Sequence, residues 1–215
     1  MPDQSGQVYG LTILSPIIGD ETPDQHGLDI GHAMELRWYL GHLARDHESP
    51  FARISSTYLA RLVVMDDVVY VGAPASEEHL KSRYLVFETN FDGDLGTYLT
   101  RMAQETPEFV DAVWKHCVGY PGVADPAAFV AYMKKCQVAT TFFFADVNNR
   151  TVQQTLKALQ TQSALADFIA KNQGKPPAEM QREFGILLNS LAQAPLPLPG
   201  GVESERMPQE NRPHE

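Results

Sequence analysis

The chain predicts an α+β fold with strands and helices in the order β-α-β-β-α-β and further helices behind them. Three observations carry that expectation. Short β-rich segments recur at 8–18 (VYGLTILSPII), 57–64 (TYLARLVV), 83–89 (RYLVFET) and 138–145 (VATTFFFA). Stretches with apolar residues at helical spacing alternate with them, several opening on Thr-Pro or Asp-Pro. A composition of 43% hydrophobic and 20% charged residues is that of a globular protein, not of a disordered or fibrous chain.

Val8 to Ile18 is short and β-branched, which favours a buried strand over a helix, and Pro16 is placed to end it. Gly19 to Gly31, rich in Asp, Gly and Pro, is a loop, and Ala33, Leu36, Leu40 and Leu43 then form a helical stripe. Ser49-Pro50 and Ser55-Ser56 punctuate a second loop before the strand Thr57 to Val64, which is expected to resume at Val68 to Val71 after Asp66-Asp67. Arg83 to Thr89 is the third strand. In the turn after it, Asn90 to Asp94, the last Asp is placed to cap a helix carrying Leu95, Tyr98, Leu99 and Met102.

Thr106-Pro107 and Asp125-Pro126 each set a capping residue before a proline at the first helical position. The helices they open carry the stripes Phe109, Val113, Trp114, Cys117 and Phe129, Val130, Met133. Val138 to Ala145 is the fourth strand. Thr151 to Asn172 reads as a long amphipathic helix with Val152, Leu156, Leu159, Phe168 and Ile169 inward, closed by Gly174, and a short helix follows over Met180 to Leu191. This order is the ferredoxin-like, split βαβ arrangement, an antiparallel sheet with helices on one face. The other face then needs the extra helices, a ligand or a second subunit to cover it.

Residues 1–7 are polar and expected to fray, 8–191 are expected to form one domain with a helical extension, and 192–215 a disordered Pro-rich tail, with five prolines from Ala194 onward. With 17 basic against 27 acidic side chains the net charge is −10, which opposes capture by nucleic acid or anionic lipid. No apolar run reaches the ~18 residues of a membrane span. MPDQSGQVYG lacks the basic and apolar regions of a signal peptide, so the expected location is cytoplasmic. Cys117 and Cys136 match no zinc pattern and are expected to be thiols.

Three segments carry a resemblance: Thr57 to Val64, Leu85 to Gly93 (LVFETNFDG) and Trp114 to Gly122 (WKHCVGYPG). Together they resemble an uncharacterised family of ferredoxin-like, dimeric α+β barrel proteins, over roughly Val8 to Asn172. The wider group it is similar to includes dye-decolourising peroxidases, chlorite-degrading enzymes, cofactor-independent oxygenases, haem-degrading enzymes and non-catalytic ligand binders. The resemblance therefore implies a homodimer with a pocket, and haem among the cofactors, more than it implies a reaction. Against the peroxidases' GxxDG motif, Thr89 stands where the first glycine belongs, and no local motif marks a proximal haem histidine.

His116 to Gly122 places an imidazole and the Tyr120 phenol at a helix end, where the imidazole could act as acid, base or axial ligand. The same text also reads as a helix stop, with Gly119 at the cap and Pro121 beyond. Arg61 lies on an apolar strand, on one face with Leu59 and Val63, and Glu88 shares a face with Tyr84, Val86 and Asn90. If those faces coincide, Arg61 pairs with Glu88 or anchors a carboxylate or propionate. Asn90, Asp92 and Asp94 have the first spacings of a calcium loop, but Leu95 and Arg101 stand where its Gly and Glu belong.

Asp24, His26, Asp29, His32 and Glu35 crowd ligand types together, but only His32 and Glu35 have helical spacing, so no metal site is expected. Phe142 to Phe144 and Trp114 fit a core as well as a cavity lining. Walker, GxGxxG, GxSxG and kinase signatures are absent.

Two functions follow as expectations. One is a small-molecule binder for a hydrophobic or haem-like ligand, with redox chemistry if it is an enzyme. In it His116 is the catalytic group, and Arg61, Asn90, Asp92 and Tyr120 form the pocket. The other is a non-catalytic interaction protein that dimerises through its sheet face.

Overall fold

The computed structural model describes residues 3–19, 31–69, 72–73, 79–197 and 199–200. Among them the sheet holds β1 (Gln4–Ser5), β2 (Val8–Pro16), β3 (Thr57–Met65) and β4 (Tyr84–Asp92), in the order β1-β2-β4-β3 with every neighbouring pair antiparallel. Because β2 and β3 both run antiparallel to the β4 between them, they are parallel to each other across one strand. The helices are α1 (His32–Gly41), α2 (Pro50–Arg53), α3 (Leu95–Glu105), α4 (Pro107–Trp114), α5 (Pro126–Lys135), α6 (Val152–Asn172) and α7 (Pro177–Gln193). None of these helices is long and apolar enough to cross a membrane.

Alternation along the strands decides the layers. Leu11 and Ile13 of β2, and Leu85, Phe87 and Phe91 of β4, are buried in one core with Leu36 of α1, Leu99 and Met102 of α3, Val113 and Trp114 of α4, and Phe129 and Met133 of α5. Each such side chain contributes about 1.5–3 kcal/mol by leaving water. Tyr98 of α3 stacks on Phe91 with ring centroids 3.8 Å apart, and its hydroxyl lies 3.1 Å from Thr89 Oγ1 and 3.2 Å from Thr57 Oγ1. This buried phenol is thereby satisfied on two strands. Asp94 caps α3 as its position predicted, accepting from the Thr97 amide at 2.9 Å, and the Thr97 hydroxyl together with that amide holds its carboxyl below the usual range.

The expected fourth strand, Val138 to Ala145, does not form. Three short pieces share the edge of β2 that faces away from β4. The Gly10 amide donates to Asp3 O, the Leu14 amide to Cys136 O, the Val138 amide to Thr12 O, and the Ile18 amide to His116 O, each at 2.9 Å. β1 already occupies the end of that edge that a longer strand would need. The chain therefore leaves the sheet after Val138 and crosses its outer face, where Phe143 fills the space over Gly10. A Cβ at Gly10 would lie 2.8 Å from the Phe143 ring.

Other boundaries also differ from the expectation. Gln4 and Ser5, in the segment expected to fray, pair with Tyr9 and Val8. Ser49-Pro50 opens the short helix α2 instead of only marking a loop, with Ser49 Oγ capping the Phe51 amide. Val68 and Val69 form no strand, and residues 70–71 lie outside the described ones. The cluster of candidate ligands from Asp24 to Asp29 lies outside them too. In α6 a capping box at Thr151 and Gln154 sets the start, but Leu159 and Ile169, expected inward, are 55% and 61% exposed. Lys157 Nζ ties α6 to Leu191 O near the end of α7 at 2.9 Å, so the two helices form an antiparallel pair whose apolar residues stay partly open.

Candidate functional site

The histidine singled out at the end of α4 is drawn into the core by its backbone. His116 follows α4 directly, its carbonyl accepts from the Ile18 amide at 2.9 Å, and its side chain is 3% exposed. The first residue of α1 meets it there: His32 Nδ1 and His116 Nδ1 are 3.0 Å apart, with Glu35 Oε2 of the same helix 3.9 Å from His116 Nδ1. One Nδ1 must donate and the other accept, so the doubly protonated pair would lose this bond. Burial holds the His116 pKa below its ordinary 6.5, Lys115 and His32 push the same way, and Glu35 opposes them. The arrangement can relay or share a proton, and burial favours the neutral form of His116.

Arg61 is elsewhere. The registers place Arg61 opposite Glu88, which in turn lies opposite Thr12, so the two inferred faces do coincide and the guanidinium pairs with the Glu88 carboxylate. The Arg61 side chain remains 66% exposed, so this pair contributes about 0–1 kcal/mol and leaves guanidinium donors open to solvent. Next to it, a groove of about 480 Å³ runs along β3, the outer strand of the sheet. Leu40, Leu43, Phe51, Leu59 and Leu62 give it apolar walls, and Arg45, Asp46, Thr57, Tyr58 and Arg61 supply polar groups. A register shift between Thr57 and Leu59 puts an extra residue into β3 at its head. The Tyr58 hydroxyl donates to Arg150 O.

Of the five residues expected to make one site, only Arg61 lines this groove. Asn90 and Asp92 share the sheet face of Arg61, but Asp92 accepts the Val152 amide at 2.9 Å and so fastens the start of α6. Tyr120 donates to Asp111 Oδ1 at 2.5 Å and packs edge-on against Phe129 and Tyr132, joining the end of α4 to α5. Burial and the Asp111 carboxylate together push its pKa up, which suits a structural phenol. Cys117 and Cys136 are free, and burial pushes the Cys117 thiol up to about 12, so it is an inert core group at neutral pH.

The pairing of His32 with His116 joins two segments with no motif or spacing in common. The i, i+3 spacing of His32 and Glu35 was the one available signal. Among the described residues no group of three His, Cys, Asp or Glu side chains could hold a metal ion. No His or Cys is among the residues lining the groove that carries Arg61, and His116 meets His32 through Nδ1.

The described chain is thus an α+β protein with an antiparallel sheet, a part-buried imidazole pair and an arginine-bearing groove along β3. No protein-family model, curated protein or solved structure matches the chain.

Proposed function

We propose that the protein binds a small amphipathic anion, an apolar body carrying a carboxylate or similar head, in the groove along β3. The single observation behind this reading is the placement of Arg61 at the rim of an apolar groove of about 480 Å³, a size suited to a small ligand. Leu40, Leu43, Phe51 and Leu62 would take the apolar body, and the free donors of Arg61, helped by Arg45, would take the head. The binding role needs no catalytic group, and His116 lies outside the groove lining. The sheet supports a ferredoxin-like reading, in which the bridge between Gln137 and Ile13 stands in the place of the fourth strand.

Isothermal titration with dodecanoate tests the proposal. The full chain should bind it, and Arg61→Gln should weaken binding about tenfold, the loss of one charge-assisted contact. No heat of binding, or equal affinity in the variant, would sink the idea.

A second reading, a homodimer that buries its outer sheet face, is favoured by Leu59 and Val63, which are 56% and 43% exposed on that face. Native mass spectrometry at micromolar protein separates the two: a monomer that binds dodecanoate supports the first reading, and a dimer lost in Val63→Glu the second.

A further inference from the structure

We propose that the helical hairpin of α6 and α7 is an interface through which two copies of this chain pair, closing an antiparallel four-helix bundle. The proposal is independent of the groove along β3 and of the outer sheet face.

The hairpin has no core of its own. α6 runs for 21 residues with buried side chains only at its ends, Val152 and Asn172, and α7 runs for 17 residues with none. Helices in folded proteins draw most of their stability from burying an apolar face. Phe168 packs on Phe184, and Lys157 Nζ bonds Leu191 O, so the register of the pair is set and with it which residues share a flank. At about 3.6 residues per turn, Ala158, Leu165 and Ile169 of α6 fall on the same flank of the hairpin as Leu188 of α7. That flank carries no charged side chain, whereas Asp167, Lys171 and Glu179 fall on the opposite one. Ile169 is 61% and Leu188 50% exposed, so the apolar flank is a half-layer open to solvent.

Three features select a second copy as the occupant. The two helices lie side by side over about 30 Å, each about 10 Å across, a flat footprint of roughly 600 Å² that corrugation raises towards the ~800 Å² per partner of a stable complex. The flank is also self-complementary. A two-fold axis crossing α6 between Gln162 and Leu165 sets Ala158 of each copy against Ile169 of the other, small against large. Charge excludes the other common destination of an amphipathic hairpin, an anionic lipid surface. That surface calls for Lys and Arg on the polar flank, and here the polar flank carries Asp167 and Glu179 beside a single Lys171, in a chain of net charge −10.

Sedimentation velocity of the full chain at micromolar concentration tests the pairing, with circular dichroism as the check of folding. The chain should sediment as a dimer and Ile169→Glu/Leu188→Glu as a folded monomer, since carboxylates buried without partners disfavour the interface. Ala158→Glu, at an exposed position, gives the same reading should the double change disturb the helices. Ile186→Glu, on the far side of α7, should remain a dimer, and so should Val63→Glu, which separates the hairpin from the sheet face. A monomeric full chain, a dimer that survives both Ala158→Glu and the double change, or a dimer lost in Ile186→Glu or Val63→Glu would each overturn the proposal. A monomer that binds phosphatidylglycerol vesicles would overturn it too and assign the flank to a lipid surface.

Discussion

His32 Nδ1 and His116 Nδ1 share one hydrogen bond at 3.0 Å, although 84 positions separate them in the chain. The bond exists because two independent placements converge. α1 begins at His32, and the segment after α4 completes the edge of β2 and carries His116 beside it. A proton shared between a buried and a half-buried ring makes this contact sensitive to acid.

The pH dependence follows from the direction of the shift. The folded-state pKa of His116 lies below 6.5, so between that pKa and 6.5 the unfolded chain binds a proton that the folded chain refuses. The associated stability is present above 6.5 and is lost as the pH falls toward the folded value. Thermal melts should show a falling melting temperature on acidification through about pH 6.5, and His116→Gln should flatten that slope. An unchanged slope in the variant would show that other groups govern the acid response.

Arg61 tests the distinction between stability and binding. Its pair with Glu88 is largely exposed, so Arg61→Gln should change unfolding free energy by no more than about 1 kcal/mol in urea denaturation. A loss of several kcal/mol would mean that the guanidinium holds the sheet together rather than serving the groove.

Gly10→Val should disturb a segment far away in sequence. Its side chain would collide with Phe143, which covers Gly10 on the outer face. The sheet should survive, because Gly10 keeps its backbone pairing with Asn90. Hydrogen exchange should quicken at Thr140 and Ala145, whose amides bond Asp3 Oδ1 and Ser5 Oγ. Unchanged exchange there would remove the account of why the fourth strand is absent.

Thr151→Ala removes the capping box that opens α6. The loss should be about 1 kcal/mol, read from thermal or urea unfolding. Because Asp92 separately bonds the Val152 amide, the helix start should persist, and Asp92→Ala combined with Thr151→Ala should cost more than either change alone.

Local chemistry made much of the fold legible. Asp94, Asp125 and Thr151 each mark a helix start because their side chains accept from amides two or three positions on, whereas Thr106-Pro107 marks one through the proline, the Thr106 hydroxyl turning back to Met102 O. Alternation likewise foretold the facing of Arg61 and Glu88 once β3 and β4 were seen as neighbours. The segment VATTFFFA has the composition of a strand but does not form one, because Gln4-Ser5, more than 130 positions away, competes for its edge. Leu159 and Ile169 were placed inward because periodicity reports an apolar face without saying what meets it.

The candidate site divides along the same line. An arginine on an apolar strand and a histidine at a helix end are visible from local text, because each departs from its surroundings. That Arg61 borders a groove, that His116 faces His32, and that Tyr120 and Asp92 brace helices emerges from the packing of distant segments. The reason is physical: propensity and capping act over a few residues, whereas proximity between distant segments depends on which of them wins each sheet edge and each gap in the core.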